Sequence, residues 1–315
     1  MKGGSPLRSV VCGLDFQNPI ILAAGTAGYG EELSGVMRLE RLGGFVTKAV
    51  SLEPRAGAPA PRVAEFTGGM INAVGLANPG LEAVRRDHLP WMASHLPATR
   101  KLVNVVGFTT DEYRAVIGGL EASSPDQAAA IDGYELNVSC PNTRAGGMEF
   151  GADPTSLRTV VEQSRRETKR PIFVKLSPTL ENIGDAARIA ADAGADGITV
   201  VNTLPGLVID VERRQPALGL GSGGVSGAAI LPVGVLATWK VRRAVQLPIL
   251  GVGGVASGTD ALQYIIAGAS LVGIGTAAMR DPRAPERIVA ELAAWCDHHN
   301  VKQIQELSGT LRWPG

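Results

Sequence analysis

Eight short apolar runs, each followed by a stretch of helical periodicity, constrain this chain more than any other feature. The runs are Ile20–Ala24, Phe45–Lys48, Leu102–Val106, Tyr134–Asn137, Ile172–Leu176, Gly197–Val201, Ile249–Gly251 and Leu271–Ile274. The helical stretches lie around Glu31–Leu42, Leu81–His95, Thr110–Leu120, Pro154–Glu167, Asn182–Ala193, Ile230–Ala244, Gly258–Ala267 and Arg283–His298. Strands that are apolar along their whole length are buried on both faces, as in a parallel sheet covered by helices. Eight such units predict a closed (β/α)8 TIM barrel. A doubly wound open sheet is the alternative, but its glycine-rich turn belongs after the first strand. There Gly25-Thr26-Ala27-Gly28-Tyr29-Gly30 lacks the GxGxxG order. The 40 glycines and 20 prolines gather into no linker, so residues 1–315 read as a single domain. A chain of this length buries enough surface to need no disulfide or metal.

Two connections are long: residues 49–80 after the second strand and 202–229 after the sixth. In a barrel both emerge over the C-terminal face, where active sites are built, and long connections without periodicity are commonly functional. Polar residues mark the same face. Lys48, Asn104, Asn137, Lys175 and Asn202 sit in or at the ends of five successive strands. Each would be costly in a packed interior without a partner. Converging on one mouth, they satisfy each other or a polar ligand.

Composition removes several classes of function. Lysine plus arginine and aspartate plus glutamate both total 30, so no basic excess recommends nucleic acid or an anionic membrane as partner. Cys12, Cys140 and Cys296 are too few and too far apart for a disulfide framework, a CxxC metal site or a four-cysteine cluster. They point to a reducing cytoplasm. No apolar run reaches the roughly 18 residues of a membrane span, and the first residues lack the apolar run of a signal peptide. His88, His95, His298 and His299 fall in helical stretches without metal-like convergence and read as surface or helix-end residues, so no metal site is expected. Cys12 and Cys296 read as structural, and the four tryptophans as packing or interface residues.

Two patterns carry chemistry. Glycine pairs end the seventh and eighth strands, Gly251-Val252-Gly253-Gly254 and Gly273-Ile274-Gly275-Thr276. Glycine lets backbone N–H groups approach phosphate oxygens, and these two loops are the usual phosphate cradle of the barrel. A phosphorylated small ligand is expected. The second pattern is Asn137-Val138-Ser139-Cys140-Pro141-Asn142 past the fourth strand. A lone cysteine is commonly a small buried hydrophobe, but at a strand's C-terminal end a thiolate can serve as general base or nucleophile. Lys175 leaves a further option, a Schiff-base enzyme acting on a sugar phosphate.

Longer motifs resemble the dihydroorotate dehydrogenase family along essentially the whole chain. They are Thr47-Lys48-Ala49 with Glu53-Pro54-Arg55, the run Gly69-Met70-Ile71-Asn72-Ala73-Val74-Gly75-Leu76-Ala77-Asn78-Pro79-Gly80, and the NVSCPN segment. Val174-Lys175-Leu176-Ser177-Pro178, Val201-Asn202-Thr203, Gly223-Gly224-Val225-Ser226-Gly227 and both glycine loops match as well. A cysteine in the base position resembles class 1, and the stretch 140–151 is similar to the 1B catalytic subunit. One departure is Ala58, where that subgroup's PRxGxP stretch leads one to expect asparagine.

The resemblance implies FMN as the phosphorylated ligand, seated on Gly253, Gly254, Gly275 and Thr276, with Gly227 closing over it. Thr26, Lys48, Ala49, Asn104, Asn137 and Val201 would line the rest of the flavin, and Lys175 would lie by its pyrimidine edge. Asn72, Asn137, Asn142 and Asn202 would read the substrate ring, because an amide offers donor and acceptor together. Thr203 and the Ala73, Val74, Gly75 and Leu76 segment would complete the pocket, and Lys48 would pair with the substrate carboxylate. The implied reaction oxidises dihydroorotate to orotate in pyrimidine biosynthesis. Cys140 takes a proton from C5 while hydride passes from C6 to flavin N5. The 1B likeness further implies a partner subunit carrying FAD and an iron–sulfur cluster, a link to NAD, and a homodimer core or heterotetramer. Another FMN barrel acting on a different dihydropyrimidine is the nearest alternative, and a subunit that only binds is a remoter one.

Overall fold

The structure, a computed structural model, describes residues 5–139, 141–142 and 148–314. Eight parallel strands close into a barrel: β1 (Ile20–Leu22), β2 (Gly44–Val46), β3 (Arg100–Val105), β4 (Gly133–Asn137), β5 (Ile172–Leu176), β6 (Gly197–Val200), β7 (Ile249–Val252) and β8 (Leu271–Ile274). Neighbours follow chain order, and β8 pairs with β1 through Val272–Ile20 and Ile274–Leu22. All eight expected strands are present, and the open sheet is excluded.

Alternation along each strand sorts the core into two layers. On β5, Ile172, Val174 and Leu176 face outward into the large cluster shared with the helices. Phe173 belongs instead to the inner cluster with Ile21, Val46, Leu102, Leu250 and Leu271. A β-carbon on Gly197 would lie 2.3 Å from the Phe173 ring, so β6 needs glycine where that ring fills the barrel. The hairpin of Ser9–Val11 and Leu14–Phe16 packs Val11 and Phe16 onto the same inner cluster.

Helices follow seven of the eight strands and cover the barrel. Their starts are capped by side chains the chain supplies locally: Thr109, Asp153, Asn182 and Ser257 each accept from a backbone N–H in the first turn. After β1, the helix expected around Glu31–Leu42 is replaced by two 3-10 turns, Glu31–Leu33 and Leu39–Arg41. Ser34-Gly35 falls in mid-segment, where glycine costs roughly 1 kcal/mol of helix propensity. The Leu81–His95 stretch is helical throughout but takes a π turn at Val84–His88.

The two long connections are not the irregular loops their composition suggests. Val63–Phe66, Gly69–Asn72, Leu204–Gly206 and Gly223–Ser226 form one antiparallel sheet, with the first connection's hairpin joined to the second's through Asn72–Gly224 and Met70–Ser226. A separate small cluster of Ile71, Ala73 and Leu218 holds it together. Asn78 fastens the base of the first connection. Its amide accepts from Ser51 N–H and Gly80 N–H and donates to the Leu76 carbonyl. Among the described residues, no helix is long and apolar enough to cross a membrane, and no cluster of His, Cys, Asp and Glu could hold a metal ion.

Candidate active site

A cavity of about 570 Å³ opens at the C-terminal ends of the strands, beneath the sheet built by the two long connections. That is within the usual range for a cofactor or small-molecule site. Thr26, Lys48, Ala49, Asn104, Asn137, Lys175 and Val201 line it from the barrel. Gly253, Gly254, Gly275 and Thr276 line it from the β7 and β8 loops, while Asn72, Val74, Leu76, Asn202, Thr203 and Gly227 come from the long connections. Two expected residues lie elsewhere. Ala73 is buried in the small cluster with Ile71 and Leu218, and the glycine at 75 turns against the Ala58 backbone. Cys140 lies outside the described residues, and so does the side chain of Asn142; its backbone pairs antiparallel with Met148.

At the glycine-rich end, shape follows from missing β-carbons. Gly254 has φ +76°, and a β-carbon there would meet Leu231 N at 2.6 Å. Gly275 differs: a β-carbon would find nothing closer than Thr26 Oγ1 at 3.8 Å, because it would point into open cavity. Tyr264 donates its hydroxyl to the Gly253 carbonyl at 2.7 Å, and burial pushes that phenol's pKa up, keeping it a donor. Thr276 donates to Ser226 Oγ at 2.8 Å, joining the β8 loop to the second long connection.

The opposite end is built from amides. Asn202 Nδ2 donates to Ser139 Oγ at 2.5 Å and lies 3.3 Å from Asn137 Oδ1. Ser139 in turn donates to Asn137 Oδ1 at 3.1 Å, and Asn202 Oδ1 accepts from Thr203 N–H at 2.9 Å. The Asn72 amide is tied to the Gly224 carbonyl at 3.3 Å. Three amides are therefore held in set orientations at one wall. Lys48 faces the same cavity and has no ion pair among the described residues. Lys175 is 7% exposed and lies 3.9 Å from the buried Glu135 carboxylate.

Reading strand ends found most of these positions but missed Ser139 and Glu135. Ser139 stands in the quoted NVSCPN run, where its neighbours Asn137 and Cys140 drew the chemistry. Glu135 had a usable signal, a carboxylate at the centre of an apolar strand. His88 falls at a helix end, as expected, but is not fully exposed. It is half-buried at the end of the π turn, stacking on the buried Tyr29 ring at 4.2 Å with its Nδ1 buried.

A parallel barrel with glycine-rich loops after β7 and β8, and an amide-lined cavity beneath the sheet of the two long connections, defines a barrel enzyme with its pocket at the C-terminal ends of the strands. The chain belongs to the dihydroorotate dehydrogenase family, whose family model matches residues 6–295. It is 44% identical over 302 residues to the dihydroorotate dehydrogenase B (NAD(+)) catalytic subunit of Pelobacter propionicus, covering 96% of this chain and 97% of that protein. It is 42% identical to the protein of the same name from Geobacter sp. strain M21, over 96% of both chains. A Solibacter usitatus protein, provisionally named dihydroorotate dehydrogenase A (fumarate), is 43% identical over 98% of this chain and 99% of its own length.

Proposed function

We propose that this chain oxidises dihydroorotate to orotate with FMN as its bound cofactor, a step of pyrimidine biosynthesis. The observation that carries the reading is one cavity with a glycine cradle at one end and the fixed amides of Asn72, Asn137 and Asn202 at the other. The fit to FMN is physical. The cradle leaves open space where a β-carbon of Gly275 would stand, and positive-φ Gly254 and Gly227 bring backbone close to a bound phosphate. Held by Gly253, Gly254, Gly275 and Thr276, FMN would supply the two-electron acceptor for the hydride on C6 of the substrate.

The protein's own groups do the rest. Asn72, Asn137 and Asn202 orient the ring through its alternating N–H and C=O groups, with Ser139 holding two of them in register. Lys48 pairs with the substrate carboxylate, and Thr203 extends the same wall. Cys140 removes the C5 proton, which lies beside a ring carbonyl, and Asn142 completes the ring's contacts. Lys175 places an ammonium beside the flavin's pyrimidine edge, where negative charge accumulates.

A partner subunit bearing FAD and an iron–sulfur cluster would supply the route for the electrons to NAD. The relatives' name, catalytic subunit of an NAD-linked enzyme, supports this, and so do three cysteines, one short of a cluster's ligand set. The same reading makes the protein cytoplasmic and the core a homodimer. The purified chain should be yellow and oxidise dihydroorotate, not dihydrouracil, with an artificial dye as acceptor. Cys140→Ala should stay yellow and folded with little turnover. A colourless chain or a fully active Cys140→Ala variant defeats the proposal. Reduction of NAD by the isolated chain defeats the partner, and fumarate reduction would align the chain with the Solibacter relative.

A further inference from the structure

Glu135 is a buried carboxylate inside the barrel that the proposed reaction does not use. It is 1% exposed, on the inward face of β4 beneath the cavity and not lining it. A buried carboxylate is expensive unless paired and hydrogen-bonded, and both of its partners point upward into the cavity. From β3, Asn104 Nδ2 donates to Glu135 Oε1 at 2.7 Å; from β5, Lys175 Nζ lies 3.9 Å from the same oxygen. The register places these neighbours on either side: Asn104 pairs with Glu135, and Lys175 pairs with Asn137, one inward step above Glu135.

The consequence is a sorting of polarity. With its N–H2 end committed to Glu135, Asn104 turns its carbonyl oxygen, an acceptor, toward the cavity. Lys175 presents a donor two strands away. A flavin pyrimidine edge offers the complementary pair, an N–H beside a ring C=O. At the same time the carboxylate cancels part of the Lys175 charge at close range, in a site too dry for water to do so. Resting on the FMN reading above, we propose that Glu135 is a positioning residue that sets the flavin's reduction potential through Lys175 and Asn104. It holds both side chains in their flavin-facing orientation and tempers the ammonium's preference for the reduced, negatively charged cofactor.

The test is Glu135→Gln, whose amide oxygen still accepts from Asn104 while the charge is gone. The midpoint potential of the bound flavin, measured by dye equilibration, should rise. The expected size is at least about tenfold in relative affinity for reduced over oxidised flavin, or about 30 mV for a two-electron couple. A second readout needs no flavin. In the apoprotein, Lys175→Met strands a buried carboxylate and should lower the denaturation midpoint, whereas the double variant Lys175→Met, Glu135→Gln should recover it. A chain that takes up FMN while Glu135→Gln leaves its potential unmoved or lowered overturns this inference alone. So does a double variant no more stable than Lys175→Met. A chain that takes up no FMN sinks the functional reading together with it.

Discussion

Replacing Ser139 with alanine removes the knot between two cavity-lining amides, Asn137 and Asn202, without touching the cavity's lining. Ser139 is buried, accepts from Asn202 Nδ2 at 2.5 Å and donates to Asn137 Oδ1 at 3.1 Å. Asn202 keeps a second tether through its own oxygen and Thr203 N–H, and a 3.3 Å contact to Asn137. A neutral hydrogen bond contributes about 0.5–1.5 kcal/mol net, and a stranded buried donor costs about 1–3 kcal/mol. With the remaining tether the sum should sit near the low end, about 1–2 kcal/mol. If the amides act only when held in orientation, that energy is lost from transition-state binding. It then corresponds to a fall of roughly 5–30-fold in kcat/KM. Steady-state turnover of dihydroorotate with a dye acceptor reads it, at matched flavin content and with thermal melting as a control. A variant that keeps kcat/KM within about twofold of the parent would refute the argument that Ser139 aligns the amides. A loss fully explained by missing flavin would refute it as well.

Four other perturbations separate stability from ligand binding and test the titrating groups. Gly275→Ala should fold normally but bind FMN more weakly by flavin-release titration, since its methyl enters open cavity; Gly254→Ala should lower thermal stability by about 2 kcal/mol or more, because it meets backbone at a positive φ. Equal effects of the two on folding would contradict the cradle's geometry. Burial raises the Glu149 carboxyl's pKa, against a smaller opposing pull from the Ser177 hydroxyl. The folded state therefore holds that proton more tightly than the unfolded one. Its contribution to stability is present below the usual carboxylate range and is lost as pH rises through the folded value. Glu149→Gln should accordingly raise the denaturation midpoint at pH 7, with the gain fading toward pH 4; a gain that grows on acidification would reverse the sign. Finally, burial and then the Asp196 charge push the Cys12 thiol up to about 12. Alkylation at pH 8, followed site by site by mass spectrometry, should proceed on the order of 10²-fold slower than at a free thiol. Labelling at the free-thiol rate would show Cys12 to be solvated.

Periodicity by itself determined the barrel. Apolar runs of four or five residues such as Ile172–Leu176 and Leu271–Ile274 can be buried only in a parallel sheet covered by helices, and eight of them close it. Glycine pairs at the last two strands and polar residues at strand ends marked the face on which the cavity opens, for the same local reason: backbone and side-chain chemistry at these positions is set by the residues themselves. What pairs with what was decided only in three dimensions. The two long connections become one sheet because Met70–Asn72 finds Gly224–Ser226 more than 150 positions along the chain, a match between unpaired backbone edges that no local pattern announces. The helix expected after β1 yields to 3-10 turns where Ser34-Gly35 interrupts it. Ala73 turns from the ligand pocket into a hydrophobic cluster because neighbouring strand residues point to opposite faces. Glu135, a misfit when read along β4, becomes intelligible once Asn104 and Lys175 arrive from the adjacent strands. A buried charge is costly or useful according to its neighbours across the sheet, and those are fixed by barrel closure, not by the chain on either side of it.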